Sequence, residues 1–223
     1  MAFSITWYEF LILLGVILVT PCFFLDLGIF KKGHTLTFSF LLAAFLVEYI
    51  GGNLARNGIH NIWFYNIFWI LGLIVLILLF LRSTLAIHNN SKVFILPIAV
   101  YLLVWGSNLA FFQPIESFFK APYVLACLII LTMCIVFYHG IIFRGHFLET
   151  SLATNPFFWI VNMYFAYFSA TLLFYASYDF LLVMDTSSFA FLNKMIKVLG
   201  VCMYLVLGIS FYLPFLKRKE GNS

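Results

Sequence analysis

Two sets of side chains in this sequence have the types and positions to do chemistry. The first is Glu9, Glu48, Asn66, Asn108, Lys194 and Lys197, ionisable and amide groups set in or beside long apolar runs. Such groups are expensive in an apolar environment and mark either a site or a set of mutually bonded partners. Lys194 and Lys197 stand three residues apart, on one face of a helix, and Glu48 is the natural partner of Lys197. The second set is His34, His88, His139 and His146. Histidines gathered at one membrane leaflet are what a metal-dependent hydrolase or hydroxylase needs. His139 and His146, seven residues apart, would share a face two turns apart on a continued helix, with Asp26 or Glu149 as a carboxylate ligand. No HExxH helix, Cys/His zinc pattern or GxSxG stretch accompanies them. The site is therefore expected in the first set, with no catalytic residue and no cofactor. A metal at the histidines is the weaker alternative.

The elements that must position these groups are set by composition. Of 223 residues, 65% are hydrophobic and only 9% charged, against roughly 45–50% and 25% in an ordinary soluble domain. So few charges cannot cover so much apolar surface, and a soluble protein is excluded. Runs of the length a membrane helix requires, about 20 apolar residues, lie at about 6–25, 35–51, 62–81, 93–112, 123–143, 156–175 and 191–216. The expected fold is all-α, a single seven-helix transmembrane domain over residues 1–223. The first run lacks a basic leader and a small-residue cleavage site, so it reads as a retained span. Near-continuous apolar runs exclude a β-barrel, whose strands alternate over about ten residues. Asn155 followed by Pro156 is a helix N-cap with proline at the first helical position, and Pro122 opens span five likewise. Pro21 and Pro97 are expected to kink their spans. Cys22, Cys127, Cys134 and Cys202 all fall in apolar runs and read as buried thiols.

The basic residues are scattered, so the net charge of +4 points to orientation in the bilayer and not to nucleic acid. Lys31, Lys32, Arg82, Lys92, Arg144, Lys217, Arg218 and Lys219 fall on one side; Arg56, Lys120, Lys194 and Lys197 fall on the other. The positive-inside rule then puts the N-terminus outside and the C-terminus in the cytoplasm. With that orientation all six residues of the first set reach similar depth near the outer leaflet. They form either an outward-facing polar pocket, roofed by the connection 51–61, or a mutually bonded cluster that fixes helix packing. Deeper in span six, Asn162 among Trp159, Tyr164 and Tyr167 reads as a bond between helices. The histidines map to the cytoplasmic side.

Seven helices suggest a retinal protein, but Lys197 lies too near one end of its span, and span three, 62–81, has no carboxylate to serve as counterion. Two stretches carry a resemblance: Asn61-Ile62-Trp63-Phe64-Tyr65-Asn66, and Asn155-Pro156-Phe157-Phe158-Trp159-Ile160-Val161-Asn162 continuing to Tyr167-Phe168-Ser169. The chain resembles small seven-helix membrane proteins of Bacteroidota-type bacteria, often found near sensor kinases or response regulators. It departs from them in the middle of span three, where Trp69-Ile70-Leu71-Gly72 stands in place of an acidic residue. The expected function is that of a sensory or signalling module in the lipid bilayer, with a small ligand at the outer face. The connections are too short to fold into a kinase or cyclase, so its output must pass to a cytoplasmic or membrane partner. A transporter or oligomeric pore is the first alternative, and it requires polar residues continuing along one route. The histidine-metal enzyme is the second.

Overall fold

A computed structural model of the protein describes residues 5–87, 92–146, 151–178 and 186–216. Seven helices are long and apolar enough to cross a membrane: α1 (Trp7–Phe24), α2 (Gly28–Arg56), α3 (Ile62–Leu85), α4 (Val93–Phe112), α5 (Lys120–Arg144), α6 (Pro156–Ala176) and α7 (Phe189–Phe215). The fold is all-helical, as expected.

Two helix starts, at Thr6 and Asn155, are set by side-chain caps. Asn155 caps α6 by accepting from the Phe157 N–H at 2.9 Å, with Pro156 at the first helical position. Two expectations need correction. The second span does not stop at 51: it stays helical to Arg56, and within this extension Asn53 donates to the Tyr49 carbonyl at 2.6 Å and Asn61 donates to the Gly51 carbonyl at 2.8 Å. Glu48 consequently lies about two turns from the helix end, deeper than the hydropathy pattern suggests. Pro97 does not kink α4; it sits in the first α-helical turn, Leu96 onward, after a short 3-10 segment, where its missing N–H costs nothing.

Pro21 does alter α1, which changes from α-helix to 3-10 helix at Thr20. Side chains bond the backbone carbonyls ahead of the change. Thr20 bonds the Val16 carbonyl at 2.7 Å, Tyr212 of α7 the Leu18 carbonyl at 2.7 Å, and His34 of α2 the Val19 carbonyl at 3.0 Å. The proline thus fixes where three helices meet.

α1 packs against α7 and α2, α6 against α5 and α7, and α3 against α2 and α5. At the α1–α7 crossing the backbones touch: a Cβ on Gly208 would lie 2.8 Å from the Gly15 carbonyl oxygen, and one on Gly15 would lie 2.9 Å from that of Tyr204. Small residues at such crossings let backbones approach where lipid offers no hydrophobic drive. α4 is the peripheral helix, with few buried residues.

Through the centre runs a chain of aromatic rings. Tyr8 meets Tyr204, then Phe40, Tyr164, Phe80, Phe157 and Phe30, with centroid separations of 6.5, 6.1, 6.1, 5.7, 5.8 and 5.1 Å in turn. All lie within the range of favourable ring pairs. The column links one end of the bundle to the other through side chains from α1, α2, α3, α6 and α7.

Candidate functional site

The six residues of the first set do not form one cluster. Glu9 is held in the first turn of α1 by a capping box: Thr6 N–H donates to Glu9 Oε2 at 2.9 Å, and Glu9 N–H donates to Thr6 Oγ1 at 3.3 Å. The same carboxylate takes both guanidinium nitrogens of Arg56, Nη1 to Oε1 at 3.0 Å and Nη2 to Oε2 at 3.4 Å. Glu9 is 3% exposed, and its placement requires Gly52, since a Cβ there would stand 2.6 Å from Glu9 Oε1.

Asn66 is fully buried and works as a clamp on the connection between α4 and α5. Its amide donates to the carbonyls of Ile115 and Ser117 at 2.7 and 2.6 Å, and its oxygen accepts from the Phe119 N–H at 3.1 Å. Asn108 instead bonds Gln113, side chain to side chain at 3.1 Å, and closes the end of α4. Neither asparagine bonds Glu48 or Lys197, so the mutually bonded cluster is not what forms. Lys194 is exposed and lines no cavity with the others.

Glu48 and Lys197 do share a cavity, but not an ion pair. Glu48 accepts from the Tyr65 hydroxyl at 3.2 Å, and Tyr65 crosses α2 at Gly51, where a Cβ would be 2.8 Å from its ring. The cavity, about 280 Å³, lies between every helix except α4. Tyr8, Tyr65, Trp69, Tyr123, Tyr167 and Tyr175 make an aromatic wall; Thr171 and Asn193 add polar groups. One carboxylate, one ammonium group and several phenol hydroxyls therefore face a space large enough for a small polar molecule. Beneath it Tyr204 and Phe40, nearly or fully buried, begin the packed aromatic column.

A π-helical segment, Asn66–Leu73, forms part of the cavity wall on α3 through Trp69 and Ile70. Segments of this kind interrupt the regular ladder and recur at functional sites. Two of its carbonyls accept from the facing helix α4: Trp105 Nε1 donates to the Asn66 carbonyl at 3.3 Å, and the Tyr101 hydroxyl donates to that of Ile70. One face of α4, through two residues four apart, thereby holds the irregular turn that presents Trp69 and Ile70 to the cavity.

The histidines do not converge. His34 is buried, edge-on to Phe23 and Phe211, with Nε2 on the Val19 carbonyl; a carbonyl only accepts, so that nitrogen carries the proton. His139 and His146 do not share a face of one helix. α5 ends at Arg144, Gly145 takes a left-handed conformation with φ 67°, and the His146 N–H turns back to the Gly140 carbonyl at 3.1 Å. His139 is exposed against Phe143. His88 and Glu149 lie outside the described residues. Among those described, no group of three His, Cys, Asp or Glu side chains gathers as a metal site. Of the cysteines, Cys22, Cys127 and Cys134 are buried but Cys202 is exposed, on the membrane-facing side of α7, contrary to expectation. Asn162 accepts from the Tyr138 hydroxyl at 2.6 Å and joins α6 to α5.

Sequence reasoning missed the tyrosine wall, the π segment and the Glu9–Arg56 pair. None of the three had a readable signal: Thr6-x-x-Glu9 ahead of an apolar run is the pattern of a capping box, which sets Glu9 in the first turn but does not point to Arg56. The tyrosines are spread over residues 8 to 175 with no shared spacing.

Fold and cavity together define an integral membrane protein of seven helices with a polar, aromatic-walled cavity at one end. Comparison of the chain with family models, with curated proteins and with solved structures returns no match.

Proposed function

We propose that this protein is a sensory module of the bacterial inner membrane, N-terminus outside, which binds a small ligand in the Glu48–Lys197 cavity and passes a conformational change to a partner protein. The observation that carries the reading is the junction of cavity and column. Tyr8 is both a wall of the cavity and the first ring of the packed aromatic chain that ends at Phe30, at the far end of the bundle. A close-packed core responds to a local change by shifting between discrete arrangements, so occupancy at one end has a contiguous route to the other. A transporter or pore is disfavoured because the rings of the column from Tyr204 to Phe157 are nearly or fully buried and in contact, which leaves no open route beyond the cavity.

The test delivers a charge into the cavity by covalent tether. With Cys202 replaced by serine, Asn193→Cys provides a thiol on the cavity wall, and 2-aminoethyl methanethiosulfonate attaches an ammonium group there. Hydrogen exchange in nanodiscs is expected to change around Phe30 and His34 as well as around the cavity. Liposomes bearing the untethered protein are expected to release trapped ethanolamine no faster than empty ones. A change confined to the cavity would reduce the protein to a binder, and protein-dependent release would make it a transporter.

A further inference from the structure

A second space adjoins the cavity. A groove of about 480 Å³ lies on the membrane-facing side of α6 and α7, lined by Leu173, Phe174, Met195, Val198, Leu199 and smaller residues. It is almost wholly apolar, and Leu173 and Met195 are exposed at 69% and 51%. Both spaces are made by the same two helices. Thr171 and Tyr175 of α6 line the cavity while their neighbours Ala170 and Phe174 line the groove; Lys197 of α7 lines the cavity while Val198 lines the groove. Ile196 lines both. The charged cavity and the face that bilayer acyl chains cover thus share a wall at Ile196.

We propose that the ligand of this site is an amphiphile drawn from the bilayer, with a zwitterionic headgroup in the cavity and one acyl chain in the groove. The inference rests on the cavity being a ligand site and adds the class of ligand. Three features carry it. The cavity presents a carboxyl group and an ammonium group, Glu48 and Lys197, which form no ion pair with each other and so are both available to a group that carries both charges. Its aromatic wall suits an ammonium group, which is attracted to the faces of Trp and Tyr rings, while the Lys197 ammonium suits a phosphate or carboxylate. The adjoining groove has no polar side chain beyond Ser177, which fits a hydrocarbon chain and not a soluble solute. The cavity alone, at about 280 Å³, is near the lower limit of small-molecule sites, whereas cavity and groove together span their usual range. Entry is lateral, past Ile196.

Four preparations in maltoside are compared by native mass spectrometry and by fluorescence: the full chain, Glu48→Gln, Ile196→Trp and Leu173→Trp, the last altering an exposed groove residue without entering the cavity. The probes are palmitoyl lysophosphatidylethanolamine, palmitoyl lysophosphatidylglycerol and free phosphoethanolamine. The full chain is expected to retain one lysophosphatidylethanolamine, with the anionic lysolipid bound at least about tenfold more weakly and the free headgroup about a hundredfold more weakly. Glu48→Gln should erase the preference between the two lysolipids. Ile196→Trp and Leu173→Trp should each weaken lysolipid binding about tenfold or more. Equal binding of free phosphoethanolamine, unaffected by either tryptophan, would overturn the amphiphile and leave a soluble-ligand site in place. Retention of both lysolipids alike, unchanged in Glu48→Gln, would mean bulk annular lipid and overturn the headgroup assignment. A Leu173→Trp variant that lost a dimer but kept its lysolipid would assign the groove to a second copy of the chain. No retention of any probe would defeat both the amphiphile and the cavity as a site for this chemistry.

Discussion

Arg56, in the last turn of α2, reaches across to Glu9, in the first turn of α1, and binds both carboxylate oxygens, at 3.0 and 3.4 Å. The pair joins two helix ends 47 positions apart in the chain. It stands at the same end of the bundle as the cavity, since the glycine that admits it, Gly52, is one turn from Glu48.

A double-mutant cycle measures this pair directly. Arg56 is 30% exposed as a side chain, so the coupling is moderated by solvent and is expected at about 1 kcal/mol. Glu9→Gln, Arg56→Met and the double variant should show that coupling in thermal unfolding in detergent. The parallel cycle on Glu48→Gln and Lys197→Met should show a smaller one, because those two face a shared cavity without contact. A larger coupling for Glu48 and Lys197 would refute this assignment of partners.

Asn66 predicts a different kind of loss. Its side chain, itself fully buried, satisfies two carbonyls and one N–H of the 113–119 connection. Asn66→Ala leaves those groups unpaired, at a cost of about 1–3 kcal/mol each where they stay buried, and should expose the connection to limited proteolysis. Asn66→Asp keeps the acceptor for Phe119 but sets a carboxylate against two carbonyl oxygens, so it should be no milder than alanine. Wild-type proteolysis and melting in Asn66→Asp would show that the clamp is not needed.

The histidines separate by environment. His34→Ala removes the donor to the Val19 carbonyl and a ring packed between Phe23 and Phe211, and should lower the melting temperature. His139→Ala, at an exposed position, should leave it unchanged. Protein washed with chelator should hold no stoichiometric metal by elemental analysis; one zinc or iron per chain, lost in His139→Ala and His146→Ala, would instead support the enzyme reading.

Orientation is open to chemical labelling. With the native cysteines removed, Asn57→Cys and Ser151→Cys place single thiols at exposed positions of connections on opposite ends of the bundle. An impermeant maleimide on intact cells should label the first and spare the second. The reverse pattern would invert the topology and move the cavity to the cytoplasmic face.

The sequence by itself determined the number of spans, their helical nature and several of their ends. Length and continuity of apolar runs decide these, and local chemistry such as Asn155 with Pro156 acts within a few residues. It did not determine which face of each helix turns inward. A soluble helix records that face as an apolar stripe, but here lipid and core are both apolar: Phe111 and Phe112 are exposed while Phe119 is fully buried, and Leu103 is exposed while Leu78 is not. Without a readable face, the meeting of Glu9 with Arg56, of Asn66 with a loop about fifty residues away, and of Glu48 with a wall of tyrosines from α1, α3, α5 and α6 could not be inferred from spacing. Those encounters depend on helix rotation and crossing, set by contacts such as Gly15 against Gly208 and by the π turn that α4 holds in α3. Only the packed bundle fixes them, because each is a relation between helices and not a property of any one.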